Sequence, residues 1–146
     1  MHVANPWKSY RQIATQTAPP GQLVLMLYEG AIHRLERALP GFDMEDPAEA
    51  NMVVHNNLQR AQDIIRELSN SLNLEQGGEF AAKMRGLYDY FDRRLWESDL
   101  KKEREGVDEV IKHLNRLRDA WSTMLAGQSP SPGSPFNAVP VALAAA

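Results

Sequence analysis

The chain has 146 residues and a formal net charge of −3, which argues against nucleic acid as its main partner. A hydrophobic content of 43% with 24% charged residues fits one globular domain long enough for a real core. The chain has no cysteine, which excludes disulfides and thiol chemistry and fits a reducing cytoplasm; no apolar run reaches the ~18 residues of a membrane span, and the first residues lack a signal-peptide pattern.

Residues 1–18 read as a leading arm. Asn5-Pro6-Trp7 is a cap followed by proline at a first helical position, and Trp7, Tyr10 and Ile13 recur at three-residue spacing. So short an apolar-sided arm is not stable alone and must dock.

Residues 19–126 read as a bundle of four helices. The first spans about residues 20–39, with Thr17 as cap and prolines in the first turn. At ~100° per residue, Val24, Tyr28, Ala31 and Leu35 share one face, with Leu27 and Ala38 beside them. Leu25 and Ile32 widen that face on one side and Leu23 on the other, while Met26 points away, among Gln22, Glu29 and His33. A stripe this wide means either neighbouring helices on both flanks or a surface for another chain. Pro40-Gly41 stops the helix, and residues 40–47 form a connection with turn chemistry.

The second helix starts after Asp46, a cap followed by Pro47. Val54, Leu58, Ala61, Ile65, Leu68 and Leu72 form a seam with spacings of 4, 3, 4, 3 and 4, the pattern of a helical bundle. Val53 and Ile64 sit off it on a shoulder. Residues 73–78 read as a turn through Gly77-Gly78. A third helix over about residues 79–100 carries Phe80, Met84, Leu87, Phe91 and Leu95 as its seam, with Tyr88 beside them and Tyr90 and Trp96 well outside. A fourth, over about residues 106–125, carries Val107, Val110, Leu114, Leu117, Trp121 and Leu125. The helices match in length at about 28–37 Å, and short connections favour an up-down antiparallel order. Residues 127–146 read as a flexible Pro/Ser-rich tail with an apolar end, Phe136, Val139, Val141 and Leu143.

No catalytic constellation stands out, so the chain is not read as an enzyme. Carboxylate-bridged metal bundles use Glu and His three apart on two helices; here Glu29/His33 and Glu109/His113 are four apart on polar faces and read as solvated pairs. No metal or other cofactor is expected. Asp89, Asp92 and Asp99 read as solvated or paired with Arg85, Arg93 or Lys102. The residues that stand out are apolar ones off the seams, Met26, Val53, Ile64, Tyr90 and Trp96. They point to a groove for an amphipathic segment, to tight packing of neighbours, or to a homodimer.

At this point the residues match a family. Tyr10-Arg11-Gln12-Ile13, Thr17-Ala18-Pro19, and the run Gln22-Leu23-Val24-Leu25-Met26-Leu27-Tyr28-Glu29-Gly30-Ala31-Ile32 resemble the flagellar export chaperones specific for flagellin. Ala61-Gln62-Asp63-Ile64-Ile65, Leu87-Tyr88-Asp89-Tyr90 with Arg94-Leu95, and Leu117-Arg118-Asp119-Ala120-Trp121 follow in the expected order, and the resemblance covers about residues 8–125. Pro20-Gly21, the 40–47 connection and the tail depart from the family pattern.

The resemblance implies a cytoplasmic four-helix bundle, needing neither ATP nor metal, that binds the disordered C-terminal region of flagellin. It would block premature polymerisation and deliver the subunit to the export apparatus. The expected partner-binding residues are Tyr10, Ile13, Met26, Ile32, Val53, Ile64, Tyr90 and Trp96. The arm and the tail are expected to compete with the client for the groove, the alternative being an arm that is a permanent part of the fold and a disordered tail; whether the client-free protein is a homodimer stays open. A homodimeric structural or adaptor bundle is the alternative reading.

Overall fold

The computed structural model describes residues 20–72 and 74–127. The expectations for the arm, with Tyr10 and Ile13, and for the Pro/Ser-rich stretch from residue 128 onward lie outside the described residues.

Four helices form an all-α up-down bundle: α1 (Pro20–Ala38), α2 (Pro47–Asn70), α3 (Leu74–Lys101) and α4 (Glu105–Ala126). Helix α1 packs on α2 and α4, and α3 packs on the same two, so the helices follow one another around the bundle in chain order. Connections of a few residues permit only antiparallel neighbours, as the sequence predicts. Among the described residues there is no strand, and no helix is long and apolar enough to cross a membrane.

Local chemistry sets the helix ends. Asp46 caps α2, its carboxylate accepting from the Ala48 backbone N–H at 3.1 Å, and Pro47 occupies the first turn. The 40–47 connection is more ordered than a plain turn, because a 3-10 helix, Leu39–Asp43, continues the chain beyond α1. Gly41 lets it settle on α2: a Cβ there would meet Val54 Cγ2 at 2.7 Å. Helix α3 is interrupted at Gly78, whose φ of 56° and ψ of −137° only glycine adopts at ease. The helix expected from residue 79 therefore has an extra helical turn before the break.

The core is continuous through all four helices. From α1 it takes Val24, Leu27, Tyr28, Ala31, Ile32, Leu35 and Ala38, so the wide stripe is used on both flanks by α2 and α4. From α2 it takes Val54, Leu58, Ala61, Ile65 and Leu68, the predicted seam without Leu72, which is half-buried. Ile64 belongs to this core at 2% exposure, which corrects the expectation of an open shoulder. The reason is geometric: α2 is flanked by both α1 and α3, so its buried arc is wider than a two-residue seam. In α3 the buried line is Ala81, Met84, Tyr88, Phe91, Leu95 and Ser98, leaving Phe80 and Leu87 half-buried at its edge. In α4, Val107, Val110, Leu114 and Trp121 are buried.

Candidate binding surfaces around helix α2

Because α2 lies between α1 and α3, its solvent side forms a ridge with a groove on each flank. The α2–α3 groove, about 550 Å³, runs past Asn51, His55, Gln59, Gln62 and Arg66 on α2 and past Trp96, Asp99, Leu100 and Lys102 at the end of α3. A smaller hollow of about 210 Å³ continues it along the same helix pair, from Arg66 and Ser69 to Arg85 and Asp89. The α1–α2 groove, about 570 Å³, is lined by Arg34 and Arg37 of α1 and by Met52, Val53, Asn56 and Arg60 of α2, among others.

His55, Arg66, Asp99 and Lys102, the ionisable groups lining the α2–α3 groove, all make hydrogen bonds within the protein. His55 Nδ1 and the Lys102 ammonium both hydrogen-bond the Asp99 carboxylate. Burial would raise the Asp99 pKa, but these two hydrogen bonds outweigh it and hold the carboxyl below its ordinary value. Further along, Gln62 donates to Asp92 Oδ1 at 3.0 Å and Arg66 donates to the same oxygen at 3.3 Å. Asp92 thus pairs across to α2 and not with Arg93 of its own helix. What the groove offers a partner is apolar: Trp96 is 59% exposed and Leu100 67%. The two are four residues apart and stand on one face of α3.

The opposite side of α3 faces α4 and is closed by a polar network. Tyr90 Oη donates to Glu109 Oε2 at 2.6 Å and Arg94 Nε donates to Glu109 Oε1 at 2.8 Å. The Tyr90 hydrogen bond, with that of Arg94, lowers the Glu109 pKa, and the same bond raises that of Tyr90. His113 stacks on Phe91 with ring centroids 5.6 Å apart. Glu109 and His113 are 3.8 Å apart and belong to this network instead of standing alone in solvent.

The candidate partner-binding residues therefore fall in different places. Trp96 lines the α2–α3 groove and Val53 the α1–α2 groove; Tyr90 is half-buried against α4, and Met26 is half-buried on α1. Ile32 and Ile64 lie in the core, at 4% and 2% exposure. The structure does not gather these six into one patch. Sequence reasoning missed two exposed apolar side chains, Leu100 and Met52, the latter 62% exposed. Leu100 was within reach, because it repeats Trp96 at one helical turn; Met52 lies two residues before the first seam position, Val54.

The ionisable side chains of the two helix-joining networks are committed to one another, and among the described residues no group of three or more His, Asp or Glu is placed to hold a metal ion.

Comparison with known proteins places the chain among flagellar proteins. The family described as Flagellar protein FliS matches residues 3–128. The flagellar secretion chaperone FliS of Bacillus subtilis (strain 168) is 34% identical over 128 residues, 88% of this chain and 92% of the relative. Its namesake in Salmonella typhimurium is 33% identical over 126 residues, 83% of this chain and 90% of the relative. That of Escherichia coli K12 is 32% identical over 134 residues, 88% and 96% respectively.

Proposed function

The chain belongs to the flagellar protein FliS family, and from that premise we propose that it is a cytoplasmic export chaperone for flagellin. It binds the disordered C-terminal region of flagellin, prevents premature polymerisation and supports secretion of the subunit through the flagellar export apparatus. It is not an enzyme: it acts by stoichiometric binding, without cofactor, nucleic acid or membrane insertion. The relatives' shared name, flagellar secretion chaperone, supports the coarse activity.

The observation that carries the reading is the exposed pair Trp96 and Leu100 in the α2–α3 groove. Both lie beside polar groups already paired with one another, so an incoming apolar side chain covers the pair without stranding a charge. A disordered client loses chain entropy on binding, so affinity has to come from a long wrapped surface and not from one pocket. The groove and its continuation along α2 and α3 offer such a track, and Met26, Val53 and Tyr90 are candidates for lesser contacts beyond it.

Calorimetry of the full chain with a peptide from the cognate flagellin C-terminus tests the proposal. Binding with a negative heat-capacity change is expected. No binding, together with a dimer whose interface takes in Trp96, would instead favour a homodimeric adaptor bundle.

A further inference from the structure

The α1–α2 groove differs in character from the one on the other side of α2. Three guanidinium groups meet there: Arg34 and Arg37, one turn apart on α1, and Arg60 on α2. Among the described residues none of the three makes an ion pair or hydrogen bond. They are close enough to feel one another: burial lowers the Arg34 pKa, and the charges of Arg37 and Arg60 lower it further. The one acidic side chain lining the groove, Asp63, is engaged by Arg66 at 3.3 Å. A chain of net charge −3 thus carries a local concentration of positive charge without a partner among the described residues.

The chain's own terminal stretches do not supply the missing counter-charge. Residues 1–19 contain Lys8 and Arg11 but no Asp or Glu, and residues 128–146 contain no charged side chain. An acidic segment of another molecule supplies the charge that these stretches lack. Met52, 62% exposed, and half-buried Val53 form an apolar margin along the arginines, and Asn56 adds a side-chain amide. A nucleic-acid backbone needs a long basic track, whereas this groove has three cations in an acidic protein. Carboxylates suit the planar guanidinium forks, and apolar residues between them suit the margin.

We infer that the α1–α2 groove is a second docking site, for an acidic segment of a partner protein with apolar residues interspersed among its carboxylates. It lies on the other flank of the α2 ridge from the α2–α3 groove, the two sharing only Gln59 among their lining residues.

Fluorescence anisotropy on the full chain tests this. The probe is a labelled peptide of about twelve residues with Glu at helical spacing and Leu between; the controls are the same peptide with Gln for Glu and an oligothymidylate of similar length. The acidic peptide is expected to bind saturably, about ten-fold tighter than the Gln peptide, and to weaken as salt is raised. The double variant R34Q/R60Q is expected to lose about ten-fold in affinity, with W96D unaffected. Should the double variant fail to fold, the exposed Arg37→Gln alone is expected to weaken binding about three-fold. Equal binding of the Glu and Gln peptides, no effect of the arginine substitutions, or tighter binding of the oligothymidylate overturns the assignment.

Discussion

The Tyr28 hydroxyl of α1 and the Tyr88 hydroxyl of α3 stand 2.6 Å apart, joining two helices that face each other diagonally across the bundle. Both residues are buried, at 0% and 2% exposure. The pair is a polar link between α1 and α3 inside an apolar core. Rotating either helix by a residue would strand a buried hydroxyl, so the pair selects one register from several that hydrophobic packing alone would allow.

Removing half of the tyrosine pair is expected to cost more than the pair contributes. Tyr88→Phe leaves the Tyr28 hydroxyl short of a partner and should destabilise by about 1–3 kcal/mol. Tyr28→Phe should cost a similar amount, since it leaves the buried Tyr88 hydroxyl without its partner. The double variant should fall short of the sum by about 0.5–3 kcal/mol, measured by urea denaturation in a double-mutant cycle. Additivity would mean that the two hydroxyls do not interact.

The same pair sets an alkaline limit. Burial pushes the Tyr28 pKa from 10.0 up to about 12, and burial raises that of Tyr88 too, with Tyr28 adding to the effect. A folded-state pKa above the unfolded one means that the protonated form is favoured in the native protein. That stability is fully present below pH 10 and drains away as the pH rises from 10 toward about 12. Phenolate absorbance from these two residues should therefore rise only together with loss of helical circular dichroism. Their ionisation near pH 10 in a protein that is still helical would contradict the buried pair.

Much of this fold was legible in the sequence, and what was missed has a common cause. The four helices, the Asp46-Pro47 start of α2, the glycine break near the start of α3 and the Val54–Leu68 part of the α2 seam all follow from local chemistry and periodicity. Ile64 was misplaced because a helix flanked on two sides buries more than its periodic seam, and which helices flank it is a tertiary fact. In α3 the predicted Met84, Phe91 and Leu95 are buried, with Tyr88 beside them, while Phe80 and Leu87 pack at the core's edge because the small Ala81 and Ser98 let neighbouring helices approach there. The basic groove was invisible, because Arg34 and Arg60 are distant in sequence and meet only when α1 packs on α2.

Two substitutions at the core should separate packing from polarity. Leu114 is fully buried, and Leu114→Ala should destabilise by about 2–5 kcal/mol through the cavity it leaves. Ser98 Oγ is buried without a hydrogen-bond partner among the described residues, so Ser98→Ala removes an unsatisfied group at little loss of volume. It should be neutral or stabilising by up to about 1 kcal/mol. Chemical denaturation reads both; a change under about 0.5 kcal/mol for Leu114→Ala would put that residue outside the core.

The contrast between Ile64 and Trp96 discriminates most sharply between core and client surface. Both were singled out for lying off the seams, yet one is 2% exposed and the other 59%. An aspartate at position 64 would be a carboxyl in a close-packed apolar core, so Ile64→Asp should unfold the protein or lower its melting temperature severely. Trp96→Asp and Leu100→Asp change solvent-facing positions and should leave far-UV circular dichroism and melting temperature nearly as they are. If flagellin docks in the α2–α3 groove, each of the latter two should weaken its binding about ten-fold or more, because each puts a charge where apolar surface has to be covered. Titrating the flagellin peptide into the three variants alongside the unmodified chain gives the answer. Normal binding by both Trp96→Asp and Leu100→Asp would move the client to a different face of the bundle. A stable, cooperative Ile64→Asp variant would show that α2 is turned away from the position described here.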